Sequence, residues 1–171
     1  MKMRRAILTM LSTLALAGAI PAEAQRVRGP TCNISAFYLN GARLQVRAGP
    51  SGSARLLRTR PHQGSPVAEI TGQSGGWFRI SRITDYEDSS VLFSGTGWVP
   101  AASLGTSIAN ADARLYARPS RQSRPIARMV ADESQVTLLG CSGTWAQVRF
   151  RRQIGWLSSG GQCSNPLTTC P

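Results

Sequence analysis

The sequence predicts an all-β, exported protein made of two copies of one small unit, and three observations point there. Apolar and polar residues alternate with period two over short runs punctuated by glycine and proline, and no stretch sustains a helical period. A set of motifs in the first half recurs in the second. The chain also opens with the ordered parts of a secretory leader. Short strands with frequent turns fit a sandwich or a small barrel.

The leader comes first in the chain. Lys2, Arg4 and Arg5 form a positive start, Ala6 to Ile20 is apolar, Pro21 breaks the run, and Ala22-Glu23-Ala24 supplies small residues for cleavage. Residues 1–24 are therefore expected to be a signal peptide, with the mature chain starting at Gln25 and ending up periplasmic or secreted. A membrane anchor is the weaker alternative, because a span needs roughly 20 apolar residues. No cysteine sits at the cleavage site, and no later stretch is apolar enough to span.

Charge bounds the partners. The chain has 20 Lys+Arg against 8 Asp+Glu. Without Lys2, Arg4, Arg5 and Glu23 the mature chain keeps 17 arginines against 7 acids, a net charge of +10. Guanidinium groups fork onto phosphates and carboxylates and stack on rings. A surface this basic attracts anionic polymers or lipid headgroups. Codon preference for arginine, with the charge serving solubility, is an equal alternative.

The repeat organises the rest. Residues 34–104 are expected to hold the first copy. It contains Leu44-Gln45-Val46-Arg47-Ala48-Gly49-Pro50-Ser51, then Gly76-Trp77, and closes on Gly97-Trp98-Val99. Residues 105–111, mostly small and polar, read as a linker. Residues 112–160 hold the second copy, with Leu115-Tyr116-Ala117-Arg118-Pro119-Ser120, then Trp145, closing on Gly155-Trp156-Leu157. Residues 161–171 read as a cysteine-containing tail. Arg118 follows Arg47 by 71 positions and Trp145 follows Trp77 by 68, but Trp156 follows Trp98 by only 58. The first copy therefore carries 10 extra residues between its tryptophans, read as a lengthened hairpin near 84–94 holding Asp85, Glu87 and Asp88.

These motifs resemble the bacterial SH3 (SH3b) family of exported proteins. The first copy matches its pattern at Leu44, Val46, Arg47, Gly49, Pro50 and Ser51, at Gly76-Trp77 and at Gly97-Trp98-Val99. The second departs from it: Ala117 replaces the valine, the glycine before Pro119 is missing, and Thr144 replaces the glycine before Trp145. The resemblance implies two small SH3-like β-barrels in tandem. It further implies a targeting or binding module in the cell envelope, of the kind that holds peptidoglycan-cleaving enzymes to wall peptide or glycan. No ligand-contacting residue belongs to the signature.

Physical reading of the signature gives structural roles. A glycine before tryptophan allows a positive φ or a close backbone approach. Trp77, Trp98, Trp145 and Trp156 have the size to fill a small barrel and are expected in its core, with a ligand platform as the alternative. Arg47 and Arg118 are read as recurring at one place, as strand-edge charges whose stems cover apolar surface.

Four cysteines, Cys32, Cys141, Cys163 and Cys170, are an even number in an exported chain, which implies two disulfides and allows three pairings. The expected pairs are Cys141–Cys163, at strand ends of the second barrel, and Cys32–Cys170, tying the ends of the mature chain. A zinc site would need a better set of ligands: no Cys-x-x-Cys occurs, and His62 is far from every cysteine.

Catalytic groups are few. His62 is the one imidazole, with no nucleophile motif beside it. Paired carboxylates for glycoside hydrolysis would come from Asp85, Glu87 and Asp88, or from Asp132 and Glu133, all in segments that read as solvated turns. The sequence thus predicts a non-catalytic binding protein without metal or cofactor. Its expected partner is peptidoglycan, a wall peptide or an envelope protein. The alternative is an electrostatic binder of an anionic polymer or membrane surface, with nucleic acid the less favoured form of that polymer.

Overall fold

A computed structural model of the chain describes residues 29–61, 63–109, 112–129, 135–165 and 167. The expected signal peptide, His62, Asp132, Glu133 and Cys170 lie outside the described residues. The described chain is mostly antiparallel β-sheet, as the period-two alternation requires.

The strands follow one order twice. The first series is β1 (Thr31–Tyr38), β2 (Leu44–Arg47), β3 (Leu56–Arg60), β4 (Pro66–Ser74), β5 (Trp77–Asp85) and β6 (Val91–Pro100), then a 3-10 turn at Ala101–Ser103 and β7 (Leu104–Ile108). The second is β8 (Arg114–Tyr116), β9 (Pro125–Arg128), β10 (Val136–Ser142), β11 (Trp145–Phe150) and β12 (Gln153–Leu157), then a 3-10 turn at Ser159–Gly161 and β13 (Gln162–Cys163). The ladder β3-β2-β6-β5-β4 is repeated as β9-β8-β12-β11-β10. The chain turns between β5 and β6 over residues 86–90, whereas β11 and β12 are joined through Arg151 and Arg152 alone.

The two series share a strand. Beside β4, Phe37 of β1 faces Val67 and Ala36 faces Ala68. Beside β10, Thr106 of β7 faces Val136 and Gly105 faces Thr137, each residue 69 positions on. So β7 is to the second unit what β1 is to the first. It also pairs with β1, at Gly105–Phe37 and Leu104–Tyr38, and with β13. The order β4-β1-β7-β10 meets equivalent strands from either end.

This corrects the expected linker. Gly105 to Ile108 belong to β7, whose five residues are all buried, and Asn110 and Ala111 lie outside the described residues. The small polar residues that suggest a linker are there because backbones crowd together. A Cβ on Gly105 would collide with Leu39 and the Val136 carbonyl. The Thr106 hydroxyl donates to the Cys163 carbonyl at 2.9 Å, which satisfies a fully buried polar group.

One apolar cluster runs through both units. It takes alternate strand positions: Val46, Phe78, Ile80 and Val99 in the first unit, and Leu115, Ala146, Val148 and Leu157 in the second. The tryptophans are not part of it, contrary to expectation. Trp98 and Trp156 each stand between two buried neighbours and so point to the opposite face of their strand, half-buried, as are Trp77 and Trp145.

The disulfide pairing is also corrected. Cys32 is bonded to Cys141, with Cα atoms 5.6 Å apart across 109 residues of sequence. That rules out both Cys141–Cys163 and Cys32–Cys170. The reason is tertiary: β1 lies along the β10–β11 turn, where Asn33 N–H donates to the Gly143 carbonyl and Gly143 N–H to the Thr31 carbonyl, both at 2.8 Å. Cys163 is disulfide-bonded as well.

Candidate functional site

The signature loop between β2 and β3 is built the same way in both units. Ala48 N–H donates to the Arg55 carbonyl, and Ala117 N–H to that of Arg124. Ala54 N–H donates to the Ser51 carbonyl, and Ser123 N–H to that of Ser120. Every partner shifts by 69 positions. On that register Arg47 corresponds to Tyr116, and Arg118 corresponds to Gly49. The two arginines therefore do not recur at one place, a correction to the sequence alignment that paired them. Cross-strand pairing agrees, since Arg47 faces Trp98 and Tyr116 faces Trp156. Pro50 and Pro119 are the true equivalents.

The outward faces of the two units then compare directly. In the first, Trp98 lies between Arg47 on β2 and Arg79 on β5. Arg47 Nη1 donates to the Ala54 carbonyl at 2.8 Å, closing the loop. Arg79 donates from Nε to Thr71 Oγ1 and from Nη2 to the Thr71 carbonyl, both at 3.1 Å. These bonds fix the guanidinium planes and leave each with further N–H donors. In the second unit Trp156 lies between Tyr116 and Gln147. There Tyr116 meets Trp145 edge-to-face at 5.6 Å between ring centroids, a geometry worth about 0.5–1.5 kcal/mol beyond burial.

Glycines shape these faces in two ways. Gly76, before Trp77, has φ +81°, the left-handed region a β-hairpin turn needs. Gly97 and Gly155 are needed for space. A Cβ on Gly97 would collide with Val46, and one on Gly155 with Leu115 and the Tyr116 carbonyl. Both let the signature strand pass close beneath the tryptophan strand.

A groove of about 850 Å³ opens over the first unit's face. Trp98 and Arg79 line it together with Gly49 and Pro50 of the β2–β3 loop, Gln73 of β4 and Thr31 of β1. A cleft of about 330 Å³ continues from it past Gln73 to Trp77. Among the described residues its lining contains no carboxylate, imidazole or thiol, and Arg79 is its charged group. The arrangement offers a ring for stacking, a proline wall, backbone polar groups and a guanidinium for a carboxylate or sugar oxygen.

Elsewhere, Asp85 Oδ1 accepts the N–H groups of Ser65 and Glu87, at 3.2 and 3.0 Å. Ser65 Oγ donates to Glu87 Oε1 at 2.9 Å. The Ser90 N–H, donating to Asp88, holds that exposed carboxyl below its ordinary range. These acids organise the β5–β6 turn. Among the described residues no group of His, Cys, Asp or Glu is arranged to hold a metal ion. No helix among them is long and apolar enough to cross a membrane.

Sequence reasoning marked Trp98, Gly49 and Pro50 but missed Arg79, Gln73 and Tyr116. The loop hydrogen bonds and the cross-strand pairs are what set Tyr116 against Arg47. Arg79 and Gln73 carry no local motif.

No protein-family model matches the chain, and no curated protein does. Among solved structures it is similar to NlpC2 of Trichomonas vaginalis, with a TM-score of 0.32 and 18% identity over 75% of this chain and 46% of that one. It is also similar to NlpC1 of the same organism, with a TM-score of 0.31 and 18% identity over 90% of this chain and 50% of that one. The chain spans about half the length of these two.

Proposed function

We propose that the protein is an exported, non-catalytic binding module of the bacterial SH3 type that acts in the cell envelope. On this reading each unit is a small SH3-like barrel, in which β2 pairs with β6 and β8 with β12. The first unit takes a cell-wall peptide or glycan, or an exposed peptide of an envelope protein, in the groove that Trp98 helps to line. The second unit braces the first. The observation that supports this reading most is the contrast between the two faces. In the first unit an 850 Å³ groove opens beside Gly49, whereas in the second an arginine replaces that glycine.

Arg79 supplies the charge for a ligand carboxylate, and Trp98 and Pro50 supply apolar contact. A ring plus one oriented cation gives modest affinity from few atoms, as suits a module that must release a polymer and rebind it. The test is a pull-down of the mature chain with purified peptidoglycan at physiological salt, beside the Trp98→Ala variant. Retention that Trp98→Ala abolishes supports the reading. Passage of the unaltered protein through peptidoglycan without retention sinks it.

A further inference from the structure

The β8–β9 loop has the scaffold of the β2–β3 loop and a different surface. Residues 48–55 read Ala-Gly-Pro-Ser-Gly-Ser-Ala-Arg, and residues 117–124 read Ala-Arg-Pro-Ser-Arg-Gln-Ser-Arg. The backbone hydrogen bonds are the same at the same spacing. Arginines replace two glycines, and Ser123 replaces Ala54. The first loop is held shut by Arg47, whose guanidinium donates to the Ala54 carbonyl. With Tyr116 in the place of Arg47, a different bond serves: Arg118 N–H donates to Ser123 Oγ at 3.0 Å. Gln122 N–H likewise donates to Ser120 Oγ at 3.2 Å.

These bonds have a chemical consequence. Both hydroxyl oxygens are occupied as acceptors of backbone N–H groups, so each keeps its proton to donate. They line one concavity of about 420 Å³ together with Arg118 and Arg124. Gln122 lines it too, and among the described residues its lining includes no carboxylate. Arg121, on the same loop, lies instead toward Gly160. Two exposed arginines and two serine hydroxyls on one short loop can together supply more donors than a carboxylate has oxygens. They suit a tetrahedral anion with three or four acceptor oxygens.

We propose that the β8–β9 loop is a phosphate-binding site, formed by Arg118, Arg124, Ser120 and Ser123, that holds the phosphoryl group of an envelope lipid headgroup or of a phosphate-bearing polymer. The site is separate from the Trp98 groove and does not rest on the ligand proposed for it. It gives the second unit a task of its own: anchoring the module to a phosphorylated surface while the first unit engages its ligand.

The test uses the mature full-length chain in 150 mM salt with inorganic phosphate as the first probe, followed by amide chemical shifts. The expected result is saturable shifts at Arg118, Ser120 and Ser123, with little response to acetate at the same concentration. Arg118→Gly restores the residue that the equivalent loop already tolerates, so the fold should survive. It should weaken phosphate binding by about tenfold, the loss expected for one charge-assisted pair. Arg82→Ser removes the same charge from exposed β5 and should change binding less than about twofold. Unsaturable shifts spread over all arginines, or equal effects of the two substitutions, would overturn the proposal. Vesicles containing phosphatidylglycerol and soluble polyphosphate then separate the sources, since whichever competes for the Arg118 signal identifies the partner. If neither competes, the phosphoryl assignment is wrong.

Discussion

Gln73 and Cys141 hold the same position in the two units, and they touch: Gln73 Oε1 accepts the backbone N–H of Cys141 at 2.8 Å. Each lies one residue before the serine that faces the hairpin tryptophan. The Cys32–Cys141 disulfide fastens the same point, with Cys141 fully buried. The two units are therefore joined at their centre and not by a tether. Replacing Gln73 by alanine leaves that N–H without its partner and should cost about 1–3 kcal/mol. A denaturant titration reads this as a lower midpoint with an unchanged slope.

The disulfide closes a loop of 109 residues. The double substitution Cys32→Ser, Cys141→Ser should lower stability by about 2–5 kcal/mol. A non-reducing peptide map should recover Cys32 linked to Cys141. Cys170 is the cysteine left for Cys163, so the same map should show those two joined. A Cys141–Cys163 peptide would contradict the structure.

Tyr38 is buried on β1, and its hydroxyl has no hydrogen-bond partner among the described residues. Burial pushes its phenol above the ordinary range. Because an unsatisfied hydroxyl opposes folding, Tyr38→Phe should leave stability unchanged or raise it by about 1 kcal/mol. A thermal melt that falls by several degrees would show that the hydroxyl is used.

Gly97 and Gly155 test the close approach of strands. Gly97→Ala drives a methyl group into Val46, and Gly155→Ala drives one into Leu115. Each should cost about 1–3 kcal/mol through overpacking. Gly52→Ala, at an open loop position, should be close to neutral in the same melt.

Trp98 and Phe78 separate binding from packing. Phe78 is 1% exposed, and Phe78→Ala should cost about 3–5 kcal/mol. Half-buried Trp98 should cost less when changed to alanine, while removing peptidoglycan retention. Trp156→Ala, at the equivalent position, should leave retention in place. Loss of retention in both variants would show that the two faces act alike.

Much of the candidate site was legible in pieces. Leu44 to Ser51 and Gly97-Trp98-Val99 mark local backbone requirements, and such requirements show in sequence because one residue type satisfies them. The tryptophans were misplaced because size suggests core, whereas strand alternation puts Phe78, Val99, Ala146 and Leu157 inside and leaves the indoles on the outer face. Arg79 gave no signal, since an arginine in a strand of an arginine-rich chain looks like any other.

The sequence by itself determined the all-β class, the duplication, and the glycines and prolines that shape each turn, because these follow from φ/ψ preference and period-two patterning along a few residues. Only the tertiary structure decided that β7 serves both units, that Cys32 reaches Cys141, and that Tyr116 rather than Arg118 answers Arg47. Each of these depends on which distant backbones hydrogen-bond. A strand carries the same pattern of apolar residues whether its neighbour is the next strand or one a hundred residues away.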